Sequence, residues 1–191
     1  MSPSPDRAVV IGASAGGVQA LLALLPTLPA DFPWPIFIVL HVPADRSNVL
    51  APLFEAKCRV EVKEAEDKET ARPGVVYFAP SDYHLLVESN GDLTLSSDEA
   101  VNYSRPSIDV LFESAADAYS AGLTGVILTG ANEDGAAGLS AVAAAGGVAL
   151  VEEPAAAYAQ AMPHAARNAC TAAVALPLEG IAEHLKGLGT E

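Results

Sequence analysis

Positive charge is scarce in this chain: 10 lysines and arginines stand against 24 aspartates and glutamates in 191 residues, a formal net charge of −14. Phosphate binding depends on clustered cations, so this balance argues against a nucleic-acid partner and equally against an anionic membrane surface. Acidity of this kind is first a solubility device. Long apolar runs are missing too. None approaches the roughly 18 to 20 residues of a membrane span, so no direct membrane insertion is expected. The opening Met1-Ser2-Pro3-Ser4-Pro5-Asp6 has neither a basic region nor an apolar signal segment, which points to a cytoplasmic protein. Cysteine is down to two, Cys58 and Cys170. They form no metal-like spacing and read as free thiols. There is no internal repeat, no low-complexity linker and no H-x-x-x-H pair, and no metal or cofactor is expected.

What the chain does have is a repeating strand, turn and helix. The apolar run Ala8–Ile11 stops at Gly12-Ala13-Ser14-Ala15-Gly16, a G-x-S-x-G pattern that sets a serine on a sharp strand-to-helix turn. A helix is expected over Val18–Leu28, closed by Pro29, then a strand over Ile36–Leu40 and a helix over Asn48–Ala56. A short strand follows at Val60–Glu64; between roughly Pro73 and Ser96 the pattern then changes to the short strands Val75–Ala79, Leu85–Glu88 and Leu93–Ser96 of a hairpin region, with Asn90-Gly91 a turn signal. Ser107 opens an amphipathic helix to about Ala121. Gly125–Leu128 is the next buried strand, followed by a helix over Ala136–Ala145 and a strand over Val148–Val151. The chain closes with Pro163–Ala169 as helix, Ala173–Leu176 as strand and Ile181–Leu188 as helix. The alternation implies an α/β fold: a doubly wound, mainly parallel sheet with helices on both faces and an antiparallel hairpin extension. The length suits one domain over residues 1–191, with its core at about 8–188.

In open α/β sheets ligands bind outside the carboxyl ends of the strands. Those ends carry Ser14, His41 and Asp134, that is, a nucleophile, a base and an orienting carboxylate. A serine hydroxyl needs a neighbouring base to attack near neutral pH, and the carboxylate holds the imidazole tautomer and stabilises the imidazolium. The order Ser, His, Asp is not that of α/β-hydrolases, where the acid precedes the histidine. Each residue also has a plainer reading. Ser14 and Asp134 are placed to cap the helices that follow them, and His41 to be a structural strand-end residue. A dinucleotide site is weakly supported, since the glycines do not space as G-x-G-x-x-G and the second strand ends in Leu40-His41 instead of an acid. His84, His164 and His184 compete poorly with His41. Asp45, Asp82 and Glu133 are rival acids, and His41, Asp45 and Asp134 form only a weak metal candidate.

Several segments together resemble the catalytic domain of chemotaxis protein-glutamate methylesterases, the CheB type. They are Ile11-Gly12-Ala13-Ser14-Ala15-Gly16-Gly17, His41-Val42-Pro43, Val62-Lys63-Glu64-Ala65-Glu66-Asp67, Tyr77-Phe78-Ala79-Pro80, Arg105-Pro106-Ser107-Ile108-Asp109-Val110-Leu111-Phe112, Gly125-Val126-Ile127-Leu128-Thr129-Gly130 with Asp134-Gly135-Ala136-Ala137-Gly138, and Met162-Pro163. They occur in family order from Val9 to about Arg167.

The resemblance implies Ser14 as nucleophile, His41 as base and then acid, and Asp134 as the orienting carboxylate. It implies backbone N–H groups of Ala15 and Ala131 as oxyanion donors. The implied reaction is hydrolysis of methyl-glutamyl side chains on the cytoplasmic signalling helices of methyl-accepting chemoreceptors, with methanol released. Some family members also deamidate glutamine. Four departures stand out. Alanine replaces the family's usual threonine at position 15 and methionine at position 131. The loop reads Asn132-Glu133 where Gly-Asn is common, and a carboxylate at 133 turned toward the pocket would favour imidazolium over the free base. The chain starts a few residues before the first catalytic strand, so no receiver domain is expected. Two other readings stay open: an esterase or amidase of this fold with a non-receptor substrate, and a catalytically weak domain that binds signalling partners. The sequence leaves the oligomeric state open.

Overall fold

A computed structural model describes residues 6–190; residues 1–5 and 191, the ends of the expected domain, lie outside the described residues. A run of small and β-branched residues forms β1 (Ala8–Ala13), buried along its whole length. It is the middle strand of a seven-stranded sheet. Its neighbours are β2 (Ile36–Leu40) and β7 (Leu123–Ile127), also buried throughout. Outside β2 lie β4 (Val75–Phe78) and β3 (Glu61–Glu64), and outside β7 lie β8 (Val148–Glu152) and β9 (Val174–Leu176). All pairings in this sheet are parallel. Continuous apolar strands of this sort require cover on both faces.

Helices supply it. On one face α1 (Gly17–Leu24), α2 (Leu50–Glu55) and α6 (Leu178–Leu188) place Leu21, Leu24, Phe54, Ile181 and Leu185 against Ile11, Ile38 and Phe78. On the other, α3 (Ile108–Tyr119), α4 (Ala136–Ala144) and α5 (Ala161–Ala169) place Leu111, Phe112, Leu139 and Met162 against Val10, Phe37 and Val151. Each such fully buried aliphatic or aromatic side chain contributes about 1.5–3 kcal/mol of transfer free energy.

Three expectations need adjusting. The first helix ends at Leu24, and Leu25–Thr27 is a 3₁₀ turn, because Pro26 cannot continue an α-helical ladder. The segment before α2 is likewise 3₁₀ over Ala44–Val49. The strand at 75–78 belongs to the main parallel sheet, while β5 (His84–Val87) and β6 (Leu93–Ser96) form a separate two-stranded antiparallel sheet. That hairpin packs Leu85, Val87 and Leu93 on the α3 side of the core.

Candidate active site

The central strand lies where the winding reverses, with β2 on one side and β7 on the other, and a crevice opens at such a switch point. The backbone ladder continues past the strand ends. His41 N–H donates to Ala13 O at 3.0 Å, Leu128 N–H to Gly12 O at 2.9 Å and Ser14 N–H to Thr129 O at 2.9 Å. Register pairs Ala13 with Leu40, so Ser14 and His41 leave adjacent strands side by side. Ser14 is thereby fixed between the segments that carry the other two candidates.

The turn after Ser14 depends on Gly16, whose φ of 79° is left-handed and suits glycine. The Tyr158 ring lies over it, and a Cβ there would come within 2.7 Å of that ring. Ser14 O accepts from Gly17 N at 2.8 Å, but α1 has no side-chain cap. Among the described residues the Ser14 hydroxyl makes no intramolecular hydrogen bond, so the capping reading of Ser14 does not apply.

Asp134 does cap a helix, though not the one that follows it. α4 starts from Gly135 in left-handed geometry with no side-chain cap. Asp134 instead turns to the N-terminus of α3, where Oδ2 accepts Ile108 N–H at 2.7 Å and Oδ1 accepts Asp109 N–H at 3.2 Å. Oδ1 also accepts the Ser107 hydroxyl at 2.9 Å and Asn102 Nδ2 at 2.8 Å. This approach is close because residue 12 is glycine: a Cβ there would meet Ile108 Cγ2 at 2.5 Å. Burial of Asp134 by itself raises its pKa. The bonds from His41, Ile108, Asn102 and Ser107 outweigh that, and the carboxyl is held below its ordinary value.

His41 Nε2 lies 2.9 Å from Asp134 Oδ2, with side-chain exposures of 13% and 0%. A carboxylate only accepts, so Nε2 carries the proton and Nδ1 keeps the lone pair. This reverses the usual serine-protease arrangement, where Nδ1 faces the acid. Two clefts meet here and share Tyr103. One, of about 220 Å³, is lined by His41, Phe78, Arg105 and Pro106, and the other, of about 420 Å³, by Asn102, Asn132, Glu133 and Asp134. Glu133 is exposed on the lining of the second cleft.

The remaining expected donors sit on the same rim. Thr129 is buried, its hydroxyl donating to Ala15 O at 2.8 Å and accepting from Ala159 N–H at 2.8 Å. Gly130 N–H donates to Ala159 O at 3.1 Å, and Gly130 O accepts Met162 N–H at 3.0 Å. Among the described residues the N–H groups of Ala15 and Ala131 have no intramolecular acceptor. No group of three His, Cys, Asp or Glu side chains gathers as a metal site among the described residues, and Asp45 is exposed.

A model of the CheB methylesterase family matches residues 9–185. The chain belongs to the CheB methylesterase family. A Leptospira interrogans protein is 48% identical over 177 residues, covering 93% of this chain and 92% of its own. The Myxococcus xanthus protein-glutamate methylesterase/protein-glutamine glutaminase 5 is 42% identical over 91% of this chain, and a Bordetella parapertussis protein-glutamate methylesterase/protein-glutamine glutaminase is 40% identical over 95%. This chain spans about half the length of those two, 51% and 53%. The crystal structure of the Thermotoga maritima CheB methylesterase catalytic domain superimposes with a TM-score of 0.89 at 35% identity, covering 95% of this chain and 98% of that one. No helix among the described residues is long and apolar enough to cross a membrane.

Within this CheB fold, several supporting residues carry no clear signal in the sequence. Asn102 sits in a two-residue turn closed by Val101 N–H to Ser104 O at 3.1 Å and Ser104 N–H to Val101 O at 3.0 Å. Its amide spans two carboxylates, donating to Asp109 Oδ2 at 2.7 Å and to Asp134 Oδ1. Its φ of 53° is the one hint, since asparagine tolerates the left-handed region. His84, set aside among the histidines, is buried: Nδ1 accepts Ser107 N–H at 3.1 Å and Nε2 donates to Glu99 O at 2.9 Å. It anchors the serine that anchors Asp134. Glu152, buried at the end of β8, accepts Thr129 N–H at 2.8 Å, and burial raises its pKa despite that bond.

Proposed function

We propose that this protein is a cytoplasmic protein-glutamate methylesterase acting on methylated glutamates of chemoreceptor signalling helices, with glutamine deamidation open to the same site. The observation that carries this reading is the His41–Asp134 contact at 2.9 Å, made beside Ser14 in a CheB-family fold. In this mechanism His41 Nδ1 takes the Ser14 hydroxyl proton while Oγ attacks the ester carbonyl. The Asp134 carboxylate, held ionised by its donors, stabilises the imidazolium. The negative oxygen of the tetrahedral intermediate is received by the N–H groups of Ala15 and Ala131, supported in this role by their lack of an acceptor among the described residues. Both are backbone donors, so alanine at these positions is compatible with the role.

Collapse of the intermediate expels methanol, which leaves with the proton from His41, and Ser14 holds the glutamyl group as an ester. Nδ1 then takes a proton from water, the resulting hydroxide attacks, and Oγ leaves with that proton. Glutamate and the resting enzyme are released. With a glutamine side chain the same steps expel ammonia.

The test is methanol release from a methylated receptor signalling fragment, with parent and Ser14→Ala side by side. Release by the parent alone, at least about a thousandfold above the variant, is expected for a nucleophile. Comparable release by both rejects Ser14 in that role. Release by neither rejects the receptor substrate.

A further inference from the structure

Asn132 stands in the loop between β7 and α4, where the family resemblance has glycine, and its side chain is committed at both ends. Its Oδ1 accepts Asp134 N–H at 3.0 Å, which fixes the amide orientation because an N–H can be met only by an acceptor. Nδ2 is therefore the end turned to His41, 3.4 Å from Nδ1. An amide NH₂ facing a ring nitrogen meets a lone pair. That lone pair is the one left on Nδ1 while Nε2 keeps its proton and donates it in the hydrogen bond to Asp134 Oδ2.

From this we infer that Asn132 is a positioning residue that holds His41 in a resting state by occupying the nitrogen Ser14 must use. The inference rests on the Ser14–His41–Asp134 reading. The amide donor competes with the Ser14 hydroxyl, which makes no hydrogen bond of its own among the described residues. The contact is long for a hydrogen bond, so the hold is weak and a bound substrate can displace it. The charged groups around the ring are Asp134 on Nε2, Arg105 across the shared cleft, Asp109 behind Asn102, Glu133 beside Asn132, and exposed Asp45 and Arg46 in the turn after β2. Among the described residues none of these bonds to Nδ1.

Asn132→Ser separates this role from loop structure. A serine hydroxyl can accept the Asp134 N–H as asparagine does, but it is too short to reach the ring. Labelling of Ser14 by a fluorophosphonate, which needs the activated serine but no receptor substrate, is expected to run about two- to tenfold faster than in the parent, the range one modest hydrogen bond allows. Faster labelling is a gain that loss of loop structure would not produce. Labelling of Asn132→Ser no faster than the parent overturns the inference. Failure of the triad reading looks different: the parent itself is not labelled, or Ser14→Ala retains activity.

Discussion

Asp134 Oδ2 accepts the backbone N–H of Ile108 at 2.7 Å, so the carboxylate that orients His41 is also the N-terminal anchor of α3. The loop after β7 and the helix before it in sequence are joined at one buried carboxylate. Ile108 in turn lies against Gly12 of β1, two residues before Ser14. Structure and chemistry share these atoms.

Asp134→Ala is therefore expected to cost stability as well as activity. It strips the acceptor from two α3 N–H groups, the Ser107 hydroxyl and Asn102. Asn102 is exposed and keeps Asp109, but leaving the two N–H groups and the Ser107 hydroxyl buried and unpaired costs about 2–4 kcal/mol. Urea denaturation measures this, and a loss under about 0.5 kcal/mol rejects the anchoring role.

The pH dependence has a defined sign. A carboxyl with a native pKa below its unfolded value contributes stability above the unfolded value and loses it as pH falls through the native one. Asp134→Asn removes this contribution, so its stability is expected to fall less than the parent's on acidification below the ordinary carboxylate range. Parallel denaturation curves down the acid series test it; equal slopes for the two proteins contradict it.

Glu152 has the opposite sign. Burial raises its pKa, so ionisation weakens the fold as pH rises. Glu152→Gln keeps an oxygen for the Thr129 N–H and removes the buried charge. A gain of about 1 kcal/mol near neutral pH is expected, about 2–4 °C in Tm for a domain of this size. The gain shrinks on acidification, where native Glu152 is already neutral. A lower Tm at neutral pH would show that the carboxylate is needed charged.

Tyr103 has φ 60°, and its side chain is fully exposed. Left-handed backbone costs a residue with a Cβ about 1–2 kcal/mol, whereas glycine adopts it readily. Glycine's greater freedom in the unfolded chain offsets part of that relief. Tyr103→Gly is expected to raise stability by about 0.5 kcal/mol, the net of these two effects. Chemical denaturation checks this, and a destabilised variant would show that the exposed ring has a stabilising contact.

Much of the fold was legible because the signals are local. Apolar runs of strand length between turn residues located the strands of the main sheet, and G-x-S-x-G located the sharp turn at Ser14. Boundaries shifted where local chemistry competes, as at Pro26. That the strand at 75–78 sits between β2 and β3, and not with the hairpin that follows it, was not legible, since β3 intervenes between it and β2 in the chain and parallel pairing leaves no mark on either sequence. Ser14, His41 and Asp134 were legible as strand-end residues of suitable chemistry. Asn102 and His84 were not, because a hydrogen bond to a buried carboxylate or to a serine amide depends on where two remote segments meet.

The amino-acid sequence by itself determined the alternation of strands and helices, the family, and the three residue types at the strand ends, because periodicity, turn chemistry and motif spacing are properties of neighbours along the chain. Only the tertiary structure decided that Asp134 caps α3, that Nε2 of His41 faces the acid, and that the Asn132 amide lies against the remaining nitrogen. Those are facts of distance and direction between groups up to 93 residues apart, and they come into being only when the sheet brings the strand ends together.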